Sequence, residues 1–270
     1  MLKFISLGSG SSGNCYYLST DETSILVDAG IPIRSLMKNF ADLNLNIEDI
    51  SAVLITHDHA DHIKSVGTLA NDMHIPVYTT ELVHQGMMKN YSVKHKILPE
   101  SSKYVLKGVS FTVGNFTITP FDVIHDSTDC VGYRIETGGM IFCIVTDIGH
   151  VTPVIESEVS KANFLVVESN HDENKLMTGK YPAYLKGRIR GPKGHLSNNE
   201  AAVLIAEHGT PNLKHVWLCH LSEENNHPEL AKKTMENVMR KYGIIPGVDF
   251  RLDVLKRKTR SDIYELTFFQ

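Results

Sequence analysis

No apolar run in this 270-residue chain approaches the ~20 residues that cross a bilayer, which excludes an integral helical membrane protein. The first residues, Met1-Leu2-Lys3-Phe4-Ile5-Ser6-Leu7-Gly8, lack the apolar core and small-residue cleavage site of a secretory leader. They read instead as a first strand entering a glycine turn. Cysteine is sparse: Cys15, Cys130, Cys143 and Cys219 are scattered without a CxxC pair, and three lie in or beside apolar strand-like runs. Buried free thiols are therefore expected, rather than disulfides or thiolate ligands. These absences point to a reducing cytoplasm and no membrane partner. Nor is there an excess of positive charge. The formal net charge is −4, which alone argues against a nucleic-acid partner. Bound divalent cations would change that balance where they sit. Low-complexity linkers and short-period repeats are missing as well, so one domain spanning 1–270 is expected, with a large core.

What is present is an alternation of short β-rich runs with helical runs. Candidate strands are Leu2–Leu7, Tyr16–Ser19, Ile25–Val27, Ala52–Ile55, Val77–Thr79, Val109–Val113, Phe116–Pro120, Val131–Glu136, Met140–Val145, Phe164–Val167, Val216–Cys219 and Phe250–Val254. They are dense in Val, Ile, Phe and Tyr and bounded by Gly, Asp and Asn. Helices are expected to start near Pro32, His62, Glu81, Thr152, Ser197 and Pro228. Ser197-Asn198-Asn199-Glu200 is a capping box ahead of an apolar run. The order predicts an α/β (α+β) architecture of two mixed β-sheets flanked by helices.

The run Thr56-His57-Asp58-His59-Ala60-Asp61-His62 carries the most chemistry. Five of its seven residues are metal-ligand types, placed directly after the apolar segment Ala52–Ile55. A strand end turning into a helix start can aim two imidazoles at one ion and the next carboxylate and imidazole at a second. Four more candidates sit at strand ends: Asp28 after Ile25-Leu26-Val27, His125 after Phe121–Ile124, Asp147 after Ile141–Val145, and His220 after Val216–Cys219. One loop cannot supply two ions, so such scattered ligands are needed. Imidazole and carboxylate suit Zn or Mn, with Fe also compatible.

The order Asp28, His57-x-His59-x-Asp61-His62, His125, Asp147, His220 resembles the five motifs of the metallo-β-lactamase superfamily, over nearly the whole chain. The resemblance implies a four-layer αβ/βα sandwich with two divalent ions at one edge. It assigns His57, His59 and His125 to the first ion and Asp61, His62 and His220 to the second, with Asp147 and a hydroxide bridging them. Asp28 would orient a ligand imidazole.

Within the superfamily, Gly8-Ser9-Gly10-Ser11-Ser12-Gly13-Asn14 beside Ile25-Leu26-Val27-Asp28-Ala29-Gly30 resembles the bacterial YycJ/WalJ (VicX) group, cytoplasmic proteins associated with 5′-to-3′ exonuclease activity on double-stranded DNA. The block from Gly194-His195-Leu196-Ser197 to His220 is similar to that of tRNA 3′-processing endonucleases. That similarity implies His195 as the acid that protonates the leaving oxygen, oriented by Glu168. Between Asp147 and Glu168 there is no room for the inserted domain of RNase J-type nucleases, which favours the YycJ-like branch. The expected function is thus a metal-dependent phosphodiesterase, with Asp61, His195 and Glu168 essential to turnover and the bridging hydroxide as nucleophile. Ser9, Ser11, Ser12 and Asn14 would cradle a phosphate. Lys186, Arg188, Arg190 and Lys193 would contact phosphates beyond the cleaved one. A second basic cluster, Lys256, Arg257, Lys258 and Arg260, reads as a solvated loop. Alternatives are a small-molecule or cyclic phosphodiesterase, an RNA nuclease, a thioester or lactam hydrolase, and a regulatory nucleic-acid-binding protein that cleaves nothing. The oligomeric state is open, a homo-oligomer included.

Overall fold

The computed structural model of the chain describes residues 1–267. In chain order the elements are β1 (Leu2–Gly8), β2 (Cys15–Ser19), β3 (Ser24–Val27), α1 (Ile33–Asp42), β4 (Ile50–Leu54), α2 (Ala60–Ile63), α3 (Val66–Asn71), β5 (Val77–Thr79), α4 (Glu81–Lys89), β6 (Ser102–Tyr104), β7 (Phe111–Val113) and β8 (Phe116–Asp122). They continue as β9 (Val131–Thr137), β10 (Met140–Val145), α5 (Pro153–Lys161), β11 (Phe164–Glu168), α6 (Glu173–Thr178), α7 (Ala183–Arg190), α8 (Asn198–His208), β12 (His215–Cys219), α9 (Pro228–Lys241), β13 (Arg251–Val254) and β14 (Tyr264–Leu266). The strands form two mixed seven-stranded sheets, ordered β14-β1-β2-β3-β4-β5-β6 and β13-β12-β11-β10-β9-β8-β7.

The chain divides into two compact units. Among the described residues, one holds Met1–Pro120, Ser127–Val131 and 256–267; the other holds Phe121–Asp126 and Gly132–Leu255. In the first, β3, β4 and β5 run parallel and are almost wholly buried, which is why they read as continuous Ile/Leu/Val runs rather than alternating ones. Ile5, Leu26, Val53, Leu69 and Val83 belong to the core that seals that sheet. In the second, β10, β11, β12 and β13 are parallel, and Trp217, fully buried, packs near Phe142 and Phe164.

Parallel pairing sets the place of the chemistry. Val27 lies opposite Leu54, so Asp28 and the Thr56–His57 pair leave the sheet at the same edge. In the second unit Val145 lies opposite Val167 and Glu168 opposite Cys219, which sends Asp147, Glu168 and His220 out of one edge. Parallel sheets present their functional groups at the carboxyl ends of the strands.

The cysteines are all buried free thiols. Several elements depart from expectation. The strand expected from Val109 begins only at Phe111, because Lys107 and Gly108 form a turn, closed by the Val109 amide on the Leu106 carbonyl, in which Gly108 has φ +78°. Pro32 caps α1 rather than sitting in its first turn, since its ψ of 140° is extended. Strands β6 and β14 were not expected: each spans three residues, and Ser102-Lys103-Tyr104 carries no apolar alternation. Helices α3, α6 and α7 were also missed. They are short, and α7 contains Gly187 and three basic residues, a composition that reads as loop.

Candidate functional site

The first unit holds the HxHxDH run at the exit of β4. His57, His59 and His62 are close: the ring centroids of His57 and His59 are 4.7 Å apart, and those of His57 and His62 4.0 Å. A hydrogen-bond chain fixes their orientation. Asp28, fully buried, accepts from the Thr56 amide at 2.8 Å and the Thr56 hydroxyl at 2.9 Å, and its Oδ2 lies 2.7 Å from His62 Nδ1. With its proton given to Asp28, the Thr56 hydroxyl accepts from His57 Nδ1 at 3.0 Å. Both imidazoles thereby carry hydrogen on Nδ1 and present Nε2 as a lone pair. Burial pushes the Asp28 carboxyl up, opposed by His62 and by the bonds from Thr56.

Two backbone features and one side chain complete this half. Asp28 has φ +60°, a left-handed turn that costs a non-glycine residue about 1–3 kcal/mol. Gly30 is where the HxHxDH loop lies against the chain: a Cβ there would stand 1.6 Å from the Asp61 carbonyl oxygen. Asn14, at the end of the glycine–serine loop, is buried and donates from Nδ2 to Asp61 Oδ2 at 3.2 Å and to His62 Nε2 at 3.0 Å. Asp58, a ligand type in the same run, has other work. Its carboxylate accepts from the Thr128 amide and hydroxyl, and Gly86 leaves it room.

The second unit brings Asp147, Glu168, His195 and His220 together, with one ligand atom from each lying within 4.8 Å of the others. Glu168 is the hub. Its Oε1 accepts from His195 Nδ1 at 2.7 Å and His220 Nδ1 at 2.9 Å, and its Oε2 from the amides of Ile148 at 2.8 Å and Leu196 at 3.1 Å. Burial works against a charged Glu168, but His195 and His220 outweigh it and hold the carboxyl below its ordinary range. Burial likewise depresses the His195 ring, and the Glu168 carboxylate overrides this and raises it. His125 is oriented separately, with Nδ1 3.0 Å from the Gly194 carbonyl. Asp147 and His220 both have left-handed backbones, φ +55° and +52°.

The remaining candidates are distributed as follows. Ser9 is buried and bonded to the Tyr16 hydroxyl at 2.9 Å, so it is not open to a phosphate, whereas Ser11 and Ser12 are exposed. Lys186, Arg188 and Arg190 lie on α7, not in a loop, with Lys193 exposed just beyond. Lys186 Nζ donates to the carbonyls of Met177 at 2.8 Å and Gly179 at 2.7 Å, and Arg188 pairs with Asp126 through two nitrogens. Sequence reasoning assigned Glu168 to His195 alone, and missed Asn14 as a neighbour of His62, Thr56 as the link from Asp28 to His57, and the Gly194 carbonyl behind His125. No spacing rule marks a backbone carbonyl or a single threonine.

The donors are nitrogen and oxygen only, and His57, His62, His125, His195 and His220 are each backed by a carboxylate, hydroxyl or carbonyl on Nδ1, chemistry that fits borderline divalent ions.

Comparison with known proteins agrees. The family model described as Beta-lactamase superfamily domain matches residues 23–220. The chain is 36% identical to the exodeoxyribonuclease YycJ of Bacillus anthracis over 254 residues, which cover 93% of this chain and 94% of that protein. It is 36% identical to the exodeoxyribonuclease WalJ of Streptococcus pneumoniae over 265 residues, 98% of each. Among solved structures, the metallo-β-lactamase fold protein YhfI from Bacillus subtilis matches with a TM-score of 0.71 at 20% identity, covering 98% of this chain and 100% of that one. Zn-bound PqqB from Methylobacterium extorquens matches with a TM-score of 0.72 at 16% identity, covering 96% and 99%. At those identities the likeness is one of fold.

Proposed function

Starting from the fact that this chain belongs to the metallo-β-lactamase superfamily, together with the YycJ and WalJ exodeoxyribonucleases, we propose that it removes nucleotides from the 5′ end of double-stranded DNA. That the chain is a metal-dependent nuclease follows from the same relationship. The intact His57, His59, Asp61, His62, His125, Asp147, His220 set, in a chain that matches those nucleases nearly end to end, carries the reading.

In the pattern of the family, His57, His59 and His125 would hold one divalent ion and Asp61, His62 and His220 another, with Asp147 as a further ligand. Zn and Mn suit these donors, and Fe is compatible. Bound there, such ions supply an activated water and neutralise the phosphoryl oxygens. We take residues 1–270 to work as a single domain, since the family model and the relatives match most of the chain. The four buried thiols fit a reducing compartment, the cytoplasm.

The protein's own groups supply the rest. Expelling a sugar oxygen as an alkoxide is costly, and a positioned acid removes that cost. His195, raised by Glu168 and only partly buried, is that acid: with Nδ1 committed to Glu168, its Nε2 carries the second proton of the imidazolium and delivers it to the leaving 3′-oxygen. Asp28 and Thr56 keep His57 and His62 in one tautomer through the cycle. Ser11 and Ser12 are exposed on the first loop, where a phosphate of the substrate would be received, while Asn14 is buried and committed to Asp61 and His62. On α7 and beyond it, Arg190 and Lys193 are the members placed to meet further phosphates. Lys186 is committed to carbonyls, and Arg188 would have to leave Asp126.

The test is cleavage of end-labelled, 5′-phosphorylated duplex DNA by metal-stripped protein resupplied with Mn or Zn. Single-stranded DNA and RNA would run alongside, with Asp61→Ala as control. Mononucleotides released from the duplex 5′ end, and lost in the variant together with metal content, are the expected result. Preference for RNA, release from the 3′ end, or turnover confined to a simple diester would each replace the substrate assignment. Undiminished activity in Asp61→Ala would overturn the mechanism.

A further inference from the structure

The basic segment at 256–260 is a second cationic feature, separate from α7, and the first unit folds it against the glycine–serine loop. The Ser9 amide donates to the Arg257 carbonyl at 3.2 Å. The side chain of Arg257 lies flat over Gly10, where a Cβ would stand 3.0 Å from its Cγ. A side chain at position 10 would press against the arginine where it crosses the loop. Beside this contact is a hollow of about 530 Å³ whose walls include Ser12, Lys38, Arg257, Lys258 and Arg260, with Asp42 as its acidic member. Lys38 and Lys258 are exposed and Arg260 is half-buried. Four cations converge on one concave wall from two distant stretches of sequence, a helix near the start of the chain and a loop near its end. A solvated basic loop has no reason to be matched by a lysine on a facing helix.

The hollow continues in one direction. Lys64 donates to the Ser12 carbonyl at 3.2 Å, and Lys64, Lys94 and His95 line a neighbouring hollow of about 310 Å³ that shares Pro32 with the first. Ser12 also lies two residues from Asn14, which touches Asp61 and His62. A chain of cationic groups therefore runs from the HxHxDH loop across the mouth of the glycine–serine loop into the pocket at Arg257–Arg260.

We propose that this pocket and its extension are a phosphate-binding track for a nucleic-acid strand, holding backbone phosphates away from the one that is cut. The inference rests on the nuclease reading for its ligand but not for its measurement. Evenly spaced phosphates need several cations in a row and little hydrogen bonding to bases, and the walls offer that: lysines, arginines and a serine hydroxyl without an aromatic platform. The track contributes affinity and register rather than chemistry.

Binding of a fluorescent duplex oligonucleotide to the metal-stripped Asp61→Ala protein, followed by anisotropy across a salt series, tests this without any cleavage. The triple variant Lys38→Gln, Lys258→Gln, Arg260→Gln on the same background is the comparison. Each phosphate contact contributes about 0.9 to the slope of log affinity against log salt, so the slope should fall by roughly 2–3 and affinity at low salt by at least tenfold. In the otherwise wild-type protein the same triple change should leave hydrolysis of bis(p-nitrophenyl) phosphate unaltered, which also shows that the fold is intact. An unchanged slope overturns the track, as does an absence of oligonucleotide binding by the parent. If the Asp61→Ala parent binds through the track but the metal-loaded protein with Asp61 intact cuts no polymer, the exonuclease reading is refuted and the track stands.

Discussion

Replacing Glu168 with Gln changes almost no volume and tests whether one carboxylate organises the second unit's half of the site. In the native protein its two oxygens accept four hydrogen bonds, two from imidazole Nδ1 atoms and two from backbone amides, and the side chain is sealed from solvent. An amide cannot reproduce this. Whichever way it is turned, its NH₂ group faces two donors, and one pair of buried donors loses its acceptor. Hydrogen bonds to a charged group contribute about 1.5–3 kcal/mol each, and a buried donor left without a partner costs about 1–3 kcal/mol. Relief of the desolvated charge offsets part of this, so the net loss should resemble that of breaking one buried ion pair, about 3–5 kcal/mol. For a chain of 270 residues, each kcal/mol is roughly 2 °C in Tm, which predicts a fall of about 6–10 °C in the metal-stripped protein.

Function should divide in a diagnostic way. His195→Ala removes the acid alone, so it should cost about 10²- to 10⁴-fold on a DNA substrate, whose leaving group needs a proton. It should cost little on a p-nitrophenyl diester, whose leaving group does not. Glu168→Gln should share that pattern and add a 10- to 100-fold weakening of metal affinity, because it also releases His220. Calorimetric scans, metal titrations and the two substrates together decide the matter. A Glu168→Gln protein with native Tm and native metal affinity would refute the reasoning, even if it were slow.

Gly30→Ala should lower Tm and metal content together by forcing the HxHxDH loop off its support, a loss of about 3 kcal/mol or more. Gly187→Ala, on a helix with nothing near its Cβ position, should instead raise stability by about 0.5–1 kcal/mol; equal effects of the two substitutions would contradict the packing argument. Burial lowers the pKa of His84, His171 and His215 below the ordinary imidazole value of 6.5, so these rings stay neutral in the folded state where the unfolded chain takes up protons. Their contribution is fully present above pH 6.5 and is lost as pH falls through the depressed values. The urea midpoint of the metal-stripped protein should therefore fall as the pH drops below 6.5, and a flat profile there would show that these rings are not shielded.

The parallel strands and their exits were legible because their signals are local. Buried parallel strands such as Ser24–Val27 and Phe164–Glu168 print as unbroken apolar runs, and the residue after such a run is at the functional edge by construction. Helix α8 was legible from its capping box, which is closed reciprocally in the structure. What failed were elements whose stability comes from neighbours rather than composition. Strand β6 is held as an edge by β5, and α7 starts after Pro182 and runs through Gly187. The site residues divide along the same line. Ligand types at strand ends could be found from sequence; the Thr56 hydroxyl, the Gly194 carbonyl and the second bond of Glu168 could not, since each depends on which distant segment arrives opposite it.

Left-handed residues stand at three of the strand-end positions singled out from the sequence. Asp28, Asp147 and His220 each follow a buried parallel strand, and each takes a positive φ of 52–60°. Continuing in an extended conformation would carry these side chains outward along the sheet; the left-handed step turns the chain abruptly at the edge instead. The step costs about 1–3 kcal/mol for a residue with a Cβ, so glycine would be the cheaper choice at all three positions. None of the three is glycine. The strain is retained because the position must carry both the turn and a carboxylate or imidazole, and the same residues then hold the hydrogen bonds that offset it: Asp28 to Thr56 and His62, Asp147 to Thr146, His220 to Glu168. Strained backbone, buried polar side chain and ligand chemistry coincide at these positions because all three follow from one requirement, a rigid donor set at the end of a rigid sheet.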